Sequence, residues 1–78
     1  MKSNKEMIMN VLSEYGAMNS HQIAVQVNLR HGVVLSGPQV AGAMRPLVAN
    51  GMAANSKDSY NKTTYWLTDF GKESMKND

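Results

Sequence analysis

The first part of the chain carries apolar residues at helical spacing. Asn4 can cap a helix, and the apolar positions after it recur at i, i+3, i+4 and i+7 on one face: Ile8, Val11, Leu12 and Tyr15. Gly16 comes directly after the last of them and suits a left-handed C-terminal stop. The pattern predicts a first helix that buries this face.

A second, shorter helix is predicted within MNSHQIAVQV. Asn19 or Ser20 can cap it, and Ile23 with Val27 forms a narrow apolar stripe. The next stretch, LRHGVVLSG at 29–37, loses helical periodicity and contains two glycines. We therefore expect an ordered turn there, with one of its apolar side chains against the core: Val33, Val34 or Leu35.

A third helix is predicted to begin near Pro38, because a proline in the first helical turn loses no intrahelical hydrogen bond. Four apolar residues form its predicted buried face: Val40, Met44, Leu47 and Val48. Gly51 is expected to end it. Pro46 conflicts with a regular helix, since it removes the hydrogen bond to the Gly42 carbonyl at a cost of about 3 kcal/mol. We expect a kink near Gly42 or two helical pieces.

From Met52 onward the pattern changes to that of a β-hairpin. MAANS is followed by the turn-forming KDSYN and then by KTTYWLT, which is rich in β-branched and aromatic residues. Alternation in the second strand defines the face predicted to meet the core: Thr63, Tyr65 and Leu67. Trp66 then points away from it. Thr68 can cap a last helical turn that carries Phe70, followed by a frayed polar end, KESMKND.

Length and composition leave room for one modest core. The chain has 78 residues, 42% of them hydrophobic, and we interpret residues 1–78 as a single domain with an ordered core over about 4–73. Cysteine is absent, which excludes disulfides and thiolate metal sites. The apolar stretches are far shorter than the roughly 18 residues of a membrane span. We expect a cytoplasmic protein without membrane association.

The charge is distributed unevenly. Eight Lys or Arg residues and six Asp or Glu residues give a net charge of +2. Residues 15–57 contain no acidic residue but hold Arg30, Arg45 and Lys57, so the middle of the chain is electropositive. This permits an anionic partner without requiring one.

Three short motifs, in this order, resemble parts of one known family. Tyr65, Leu67, Thr68 and Gly71 form Y-x-L-T-x-x-G, which resembles the last-strand signature of bacterial winged-helix regulators. HQIA resembles the start of their second helix, and AMRPLVANGMA resembles the end of their third helix and the turn that follows. The resemblance covers roughly residues 5–73. It implies an α+β, winged helix-turn-helix fold with three helices and a C-terminal β-hairpin wing, as in small bacterial, phage or plasmid transcriptional regulators.

The resemblance also implies binding to double-stranded DNA, with the third helix in the major groove and the wing on the backbone or minor groove. The residues expected to contact DNA lie on outward helix positions and on the wing: Gln39, Ala43, Arg45, Asn50, Lys57, Tyr60, Asn61 and Lys62. Gln39 can pair with adenine and Arg45 with guanine, while small Gly42 and Ala43 let the helix approach closely. The wing residues suit phosphate contacts.

Four cations are expected to face the DNA: Arg30, Arg45, Lys57 and Lys62. Neutralising about four phosphates predicts that log K falls against log salt with a slope of about −3 to −4. We therefore expect weak binding by a monomer.

The alternative is a winged-helix protein-interaction module that does not bind DNA. The third helix carries little charge for a groove reader, and its outward Ala43 and Ala49 could bind another protein together with Trp66. A stoichiometric protein partner that survives nuclease treatment would favour this hypothesis.

Catalysis and metal binding are disfavoured by the sequence. His21 and His31 are its two histidines, and neither cysteines nor a carboxylate cluster accompany them. We expect His21 in the first turn of the second helix, near backbone phosphate. The chain has no nucleophile elbow and no phosphate-binding loop. We expect no enzyme activity and no cofactor, and a monomer or weak homodimer, since no dimerisation helix is obvious.

Overall fold

The computed structural model describes residues 3–76, and its elements follow the predicted order of helices and hairpin. They are α1 (Asn4–Tyr15), β1 (Met18–Asn19), α2 (Ser20–His31), α3 (Gly37–Ala49), β2 (Ala53–Lys57), β3 (Thr63–Leu67) and α4 (Asp69–Lys76). The strands form one antiparallel sheet in the order β1-β3-β2. We call the hairpin 53–67 the wing, and its connection 58–62 the wing loop. No helix in the part described is long and apolar enough to cross a membrane.

Local side chains fix where the first two helices begin. Ser3, rather than the predicted Asn4, caps α1, because its Oγ accepts a hydrogen bond from the Glu6 N–H. Asn19 caps α2 in a capping box with Gln22, as one of the two predicted alternatives required. Gly16 ends α1 at the predicted position with a positive φ of 80°, but its ψ of −148° is not that of the predicted left-handed stop.

The second helix is longer than the sequence pattern indicated. It continues to His31, and Gly32 ends it in the left-handed conformation at φ 68°. Residues 32–36 form the turn, in which Val33 and Leu35 pack against the core. Val34 points outward and is 82% exposed. The expectation of a turn beginning at residue 29 was wrong, because the glycine that ends the helix is Gly32, three residues later.

The third helix is one continuous element from Gly37 to Ala49, so the alternative of two helical pieces was wrong, and the kink near Gly42 stays a prediction. Ser36 caps it, and Pro38 lies in its first turn as predicted. Pro46 lies within the last turn, where only the Gly42 carbonyl loses its partner. Gly42 is exposed, so water can reach this part of the helix.

The core lies between the helices and one face of the sheet. Tyr65 and Leu67 of β3 are buried in it, and Trp66 points away, as the alternation predicted. The largest fully buried side chains come from the helices: Ile8, Val11, Leu12, Ile23, Val27, Val40, Met44 and Leu47. Tyr15, predicted on the buried face of α1, is 52% exposed, because it lies at the last helical position and packs against an arginine of α2 instead.

The Y-x-L-T-x-x-G residues join the last strand to the turn after α3. The Thr68 Oγ1 donates a hydrogen bond to the Gly51 carbonyl (2.6 Å) and accepts one from the Gly71 N–H (3.0 Å). Thr68 therefore caps α4, as predicted. Gly71 lies against the backbone of Met52, where a β-carbon would overlap the carbonyl oxygen. This close contact requires glycine.

The C-terminal segment is more regular than predicted. A helix of eight residues, α4, extends to Lys76, where the sequence indicated a single turn and a frayed end. Asn77 and Asp78 of that predicted end lie outside the described residues. The cap at Thr68 and the buried Gly71 hold the first turn of α4 in place, so the helix can continue.

Candidate nucleic-acid interface

The outward face of α3 carries a row of four exposed residues. Three of them have small side chains or none, and the fourth is an arginine. Positions 38, 42, 45 and 49 recur at i, i+4, i+7 and i+11, so Pro38, Gly42, Arg45 and Ala49 lie in one row. All of them are exposed, and the buried residues of α3 lie on the opposite side. Pro38 in this row and Pro46 next to Arg45 are exposed surface residues that were not predicted to belong to the interface. Their positions in the helical repeat were the available signal.

The residues predicted to read bases are placed differently from one another. Arg45 is exposed and forms no side-chain hydrogen bond or ion pair within residues 3–76. Asn50 is exposed at the C-terminal cap of α3. Ala43, expected on the outward face, is half-buried and packs against the core instead, because it lies one residue from the outward Gly42 towards the buried side. Its methyl group is therefore not part of the exposed row.

Gln39 is exposed, and its side chain also forms a hydrogen bond with the residue that caps α3. Its Oε1 accepts a hydrogen bond from the Ser36 backbone N–H (2.8 Å), and its own N–H donates to the Ser36 Oγ (3.2 Å). This capping box ties the side chain back to the helix start.

The wing loop is built around one carboxylate. The Asp58 Oδ1 accepts hydrogen bonds from the backbone N–H groups of Tyr60 (2.8 Å) and Lys62 (3.0 Å). The Asp58 N–H donates to the Lys62 carbonyl (3.0 Å), which closes the loop. Asn61 takes the left-handed conformation at φ 64°, which asparagine tolerates. The sequence analysis missed this role of Asp58, although an aspartate that begins a polar turn is the usual signal of such a loop.

The wing loop presents the predicted contact residues to solvent. Tyr60 is 83% exposed, and Asn61 and Lys62 are exposed beside it. Lys57 is exposed at the end of β2, opposite Thr63. A backbone hydrogen bond holds the start of this hairpin against α3, since the N–H of Met52, the residue before β2, donates to the Leu47 carbonyl (2.9 Å). The wing is therefore attached directly to the end of α3.

Arg30, expected among the DNA-facing cations, is engaged with α1 instead. Its Nη1 forms an ion pair with Glu14 and donates a hydrogen bond to the Tyr15 hydroxyl (3.3 Å), and its guanidinium lies 5.8 Å from the Tyr15 ring centre. The hydrogen bond to Tyr15 raises the pKa of Arg30, desolvation opposes this rise, and the charge of Glu14 adds to it. One of the four expected cations is thus paired within the protein, which leaves Arg45, Lys57 and Lys62 on α3 and the wing.

The remaining candidate residues do not come together as a site. His21 is exposed in the first turn of α2, where it was expected, and His31 is half-buried at the other end of that helix. Within residues 3–76 no three His, Asp or Glu side chains are grouped so that they could hold a metal ion. Trp66 is 36% exposed on the outer face of the sheet.

Three solved structures similar to the chain share its fold. A MarR-family transcriptional regulator from Silicibacter pomeroyi aligns over 96% of the chain with 26% identity and a TM-score of 0.77. H. salinarum RosR aligns over 99% of the chain with 19% identity and a TM-score of 0.85, and the alignment covers 69% of the length of RosR. F93 from STIV, a winged-helix DNA-binding protein, aligns over 91% with 15% identity and a TM-score of 0.75, and 77% of it is covered.

These similarities establish the fold. The chain has the predicted α+β, winged helix-turn-helix fold, with the wing in a three-stranded antiparallel sheet and with α4 as a helix beyond the predicted three. It spans 48% of the length of the Silicibacter pomeroyi regulator. No protein-family model matches the sequence, and neither does any curated protein sequence. None of these similar structures supports the protein-interaction alternative.

Proposed function

We propose that this protein is a DNA-binding transcriptional regulator that contacts duplex DNA with α3 and the wing. It acts by binding rather than by catalysis, and its setting is a bacterial cytoplasm. The MarR-family regulator and the winged-helix DNA-binding protein with the same fold support this proposal.

The observation that carries the proposal is the exposed row of α3 beside an exposed basic wing. Arg45 projects from that row without a partner in the described chain, while Lys57 directly precedes the wing loop and Lys62 is its last residue. An exposed helix can enter the major groove while lysines beside it neutralise phosphates. The nearest acid along the wing, Asp58, has its carboxylate bonded to the loop backbone.

Arg45 and Lys62 are proposed to have different roles. The guanidinium of Arg45 can donate two hydrogen bonds to guanine O6 and N7, which is worth about 1–3 kcal/mol of discrimination. Lys62 meets phosphates, which are the same for every sequence. Arg45→Ala should therefore reduce the preference between DNA sequences, and Lys62→Ala should weaken all sequences about equally.

The first experiment is an amide NMR titration with a mixed-sequence DNA duplex at low and near-physiological salt. We expect shifts confined to α3 and the wing loop that diminish as salt is added. Lys5→Ala on α1 is the matched control, because it removes one exposed cation outside the proposed interface. Shifts centred on α1, or none at low salt, would contradict the proposal.

A further inference from the structure

The capping box at the start of α3 determines which hydrogen-bonding groups Gln39 can offer. Only an oxygen can accept the hydrogen bond from the Ser36 N–H at 2.8 Å, so the orientation of the Gln39 amide is defined. Its Oε1 points back towards the residue before the helix. The Nε2 group, with two N–H donors, is the part left for other partners.

This orientation is incompatible with the usual pairing of glutamine with adenine. That pairing requires the amide oxygen to accept from adenine N6 while the amide nitrogen donates to N7, so both must face the same base edge. In α3 the oxygen is held by Ser36, and turning it outward would leave a backbone N–H of the helix start without its partner. Arg45, the other long polar side chain exposed on α3, also offers only donors.

We propose that Gln39 reads guanine rather than adenine, so that α3 recognises duplex DNA with two guanines, one at Gln39 and one at Arg45. The major-groove edge of guanine presents two acceptors, O6 and N7, whereas adenine places the N6 donor beside N7. A surface of donors alone is therefore complementary to guanine. Arg45 lies six positions after Gln39, about 9 Å along a helix, so the guanines lie within about three base pairs. This inference rests on the DNA-binding function proposed above.

The test is selection of bound sequences from a randomised duplex library, followed by affinity measurements on the selected duplex with single base-pair changes. We expect guanine at both positions, and a loss of about fivefold or more when adenine replaces either one. Replacing the guanine by 7-deazaguanine, which lacks the N7 acceptor, should cause a comparable loss.

Gln39→Glu isolates the donor group from the helix cap. A glutamate at this position still accepts the hydrogen bond from the Ser36 N–H, so folding should be retained. It has no donor, and a carboxylate accepts from cytosine N4, so the preference at one position should change from guanine to cytosine. The second guanine, read by Arg45, should be unaffected.

Gln22→Glu is the matched control. Gln22 forms the same capping box with Asn19 at the start of α2 and is equally exposed, so this variant adds the same charge to an identical local structure. We expect the guanine preference to be unchanged, although the added charge weakens binding overall. The affinities for the guanine duplex and for the changed duplexes are compared within each variant, so the overall weakening by the added charge cancels.

The outcomes distinguish this inference from the proposed function. Binding that selects adenine or thymine at the Gln39 position, or a guanine preference that survives in Gln39→Glu, would overturn the inference and leave the DNA-binding function standing. No binding of any duplex at low salt would overturn both.

Discussion

At the scale of single residues, two glycines of this chain are under opposite constraints. Gly71 faces the backbone of Met52, and a β-carbon there would lie 2.9 Å from the Met52 carbonyl carbon and overlap its oxygen. Gly42 lies on the exposed row of α3, and a β-carbon there would meet nothing within 4 Å. Packing therefore requires glycine at position 71, whereas no packing contact requires it at position 42.

The same substitution should therefore have opposite effects at the two sites. Gly71→Ala should lower the free energy of unfolding by about 1–3 kcal/mol, because two backbone segments must separate. Gly42→Ala should raise it by about 0.5–1 kcal/mol, since alanine is the better helix former. Urea unfolding of the two variants beside the parent protein measures both values. Equal destabilisation of both variants would contradict the packing argument.

Gly42→Ala also tests how closely α3 approaches DNA. If the backbone of α3 meets the bases at Gly42, the added methyl group should reduce DNA affinity although the protein itself is more stable. Fluorescence anisotropy with a labelled duplex measures this change. An unchanged affinity of Gly42→Ala would show that the helix does not approach closely at this position.

Residue roles that depend on neighbouring positions could be predicted, and those that depend on distant ones could not. The caps at Asn19 and Thr68 follow from side chains that bond the backbone three residues ahead. The engagement of Arg30 with Glu14 and Tyr15 joins two helices, so no sequence pattern indicates it. The sequence therefore counted Arg30 as an unpaired cation, whereas the fold pairs it with residues of α1.

At the scale of elements, strong local signals identified three helices and the hairpin, and weak signals failed. The two residues of β1 are too few to show alternation, and they form a strand only because β3 offers a partner edge. The end of α2 was missed because apolar periodicity stops before the helix does. Pro46 suggested a break in the third helix. It lies in the last turn of α3, so the loss of hydrogen bonding is limited to the Gly42 carbonyl.

The wing loop gives a prediction at this scale, because one carboxylate organises it. Asp58→Ala removes the acceptor for the N–H groups of Tyr60 and Lys62, so these two amides should exchange with solvent faster by about a factor of five, which corresponds to about 1 kcal/mol. Hydrogen exchange monitored by NMR measures the protection. The strands of the wing should keep theirs.

Asp58→Asn is the matched control, since an amide oxygen can accept the same hydrogen bonds without the negative charge. Its loop should exchange like that of the parent protein. It should bind DNA about threefold more tightly at low salt, because a charge that repels phosphate is removed. If both variants lost protection equally, the loop would depend on the charge of Asp58 rather than on its hydrogen bonds.

At the scale of the whole molecule, the arrangement of charge decides how binding responds to salt. Arg45, Lys57 and Lys62 lie on α3 and the wing, while Arg30, near the end of α2, is paired with Glu14 of α1. With three phosphates neutralised rather than four, log K should fall against log salt with a slope of about −3. Affinity measured by fluorescence anisotropy over a range of NaCl concentrations gives this slope.

Two variants make the salt prediction specific to the fold. Lys62→Gln should reduce the magnitude of the slope by about 1, because one phosphate contact is lost. Arg30→Gln removes the same charge from the chain but should leave the slope unchanged, since that cation is already compensated by Glu14. A fall in slope with Arg30→Gln as large as with Lys62→Gln would mean that the ion pair opens when DNA binds. In that case the end of α2 would belong to the interface, and the DNA would extend further across the protein than α3 and the wing.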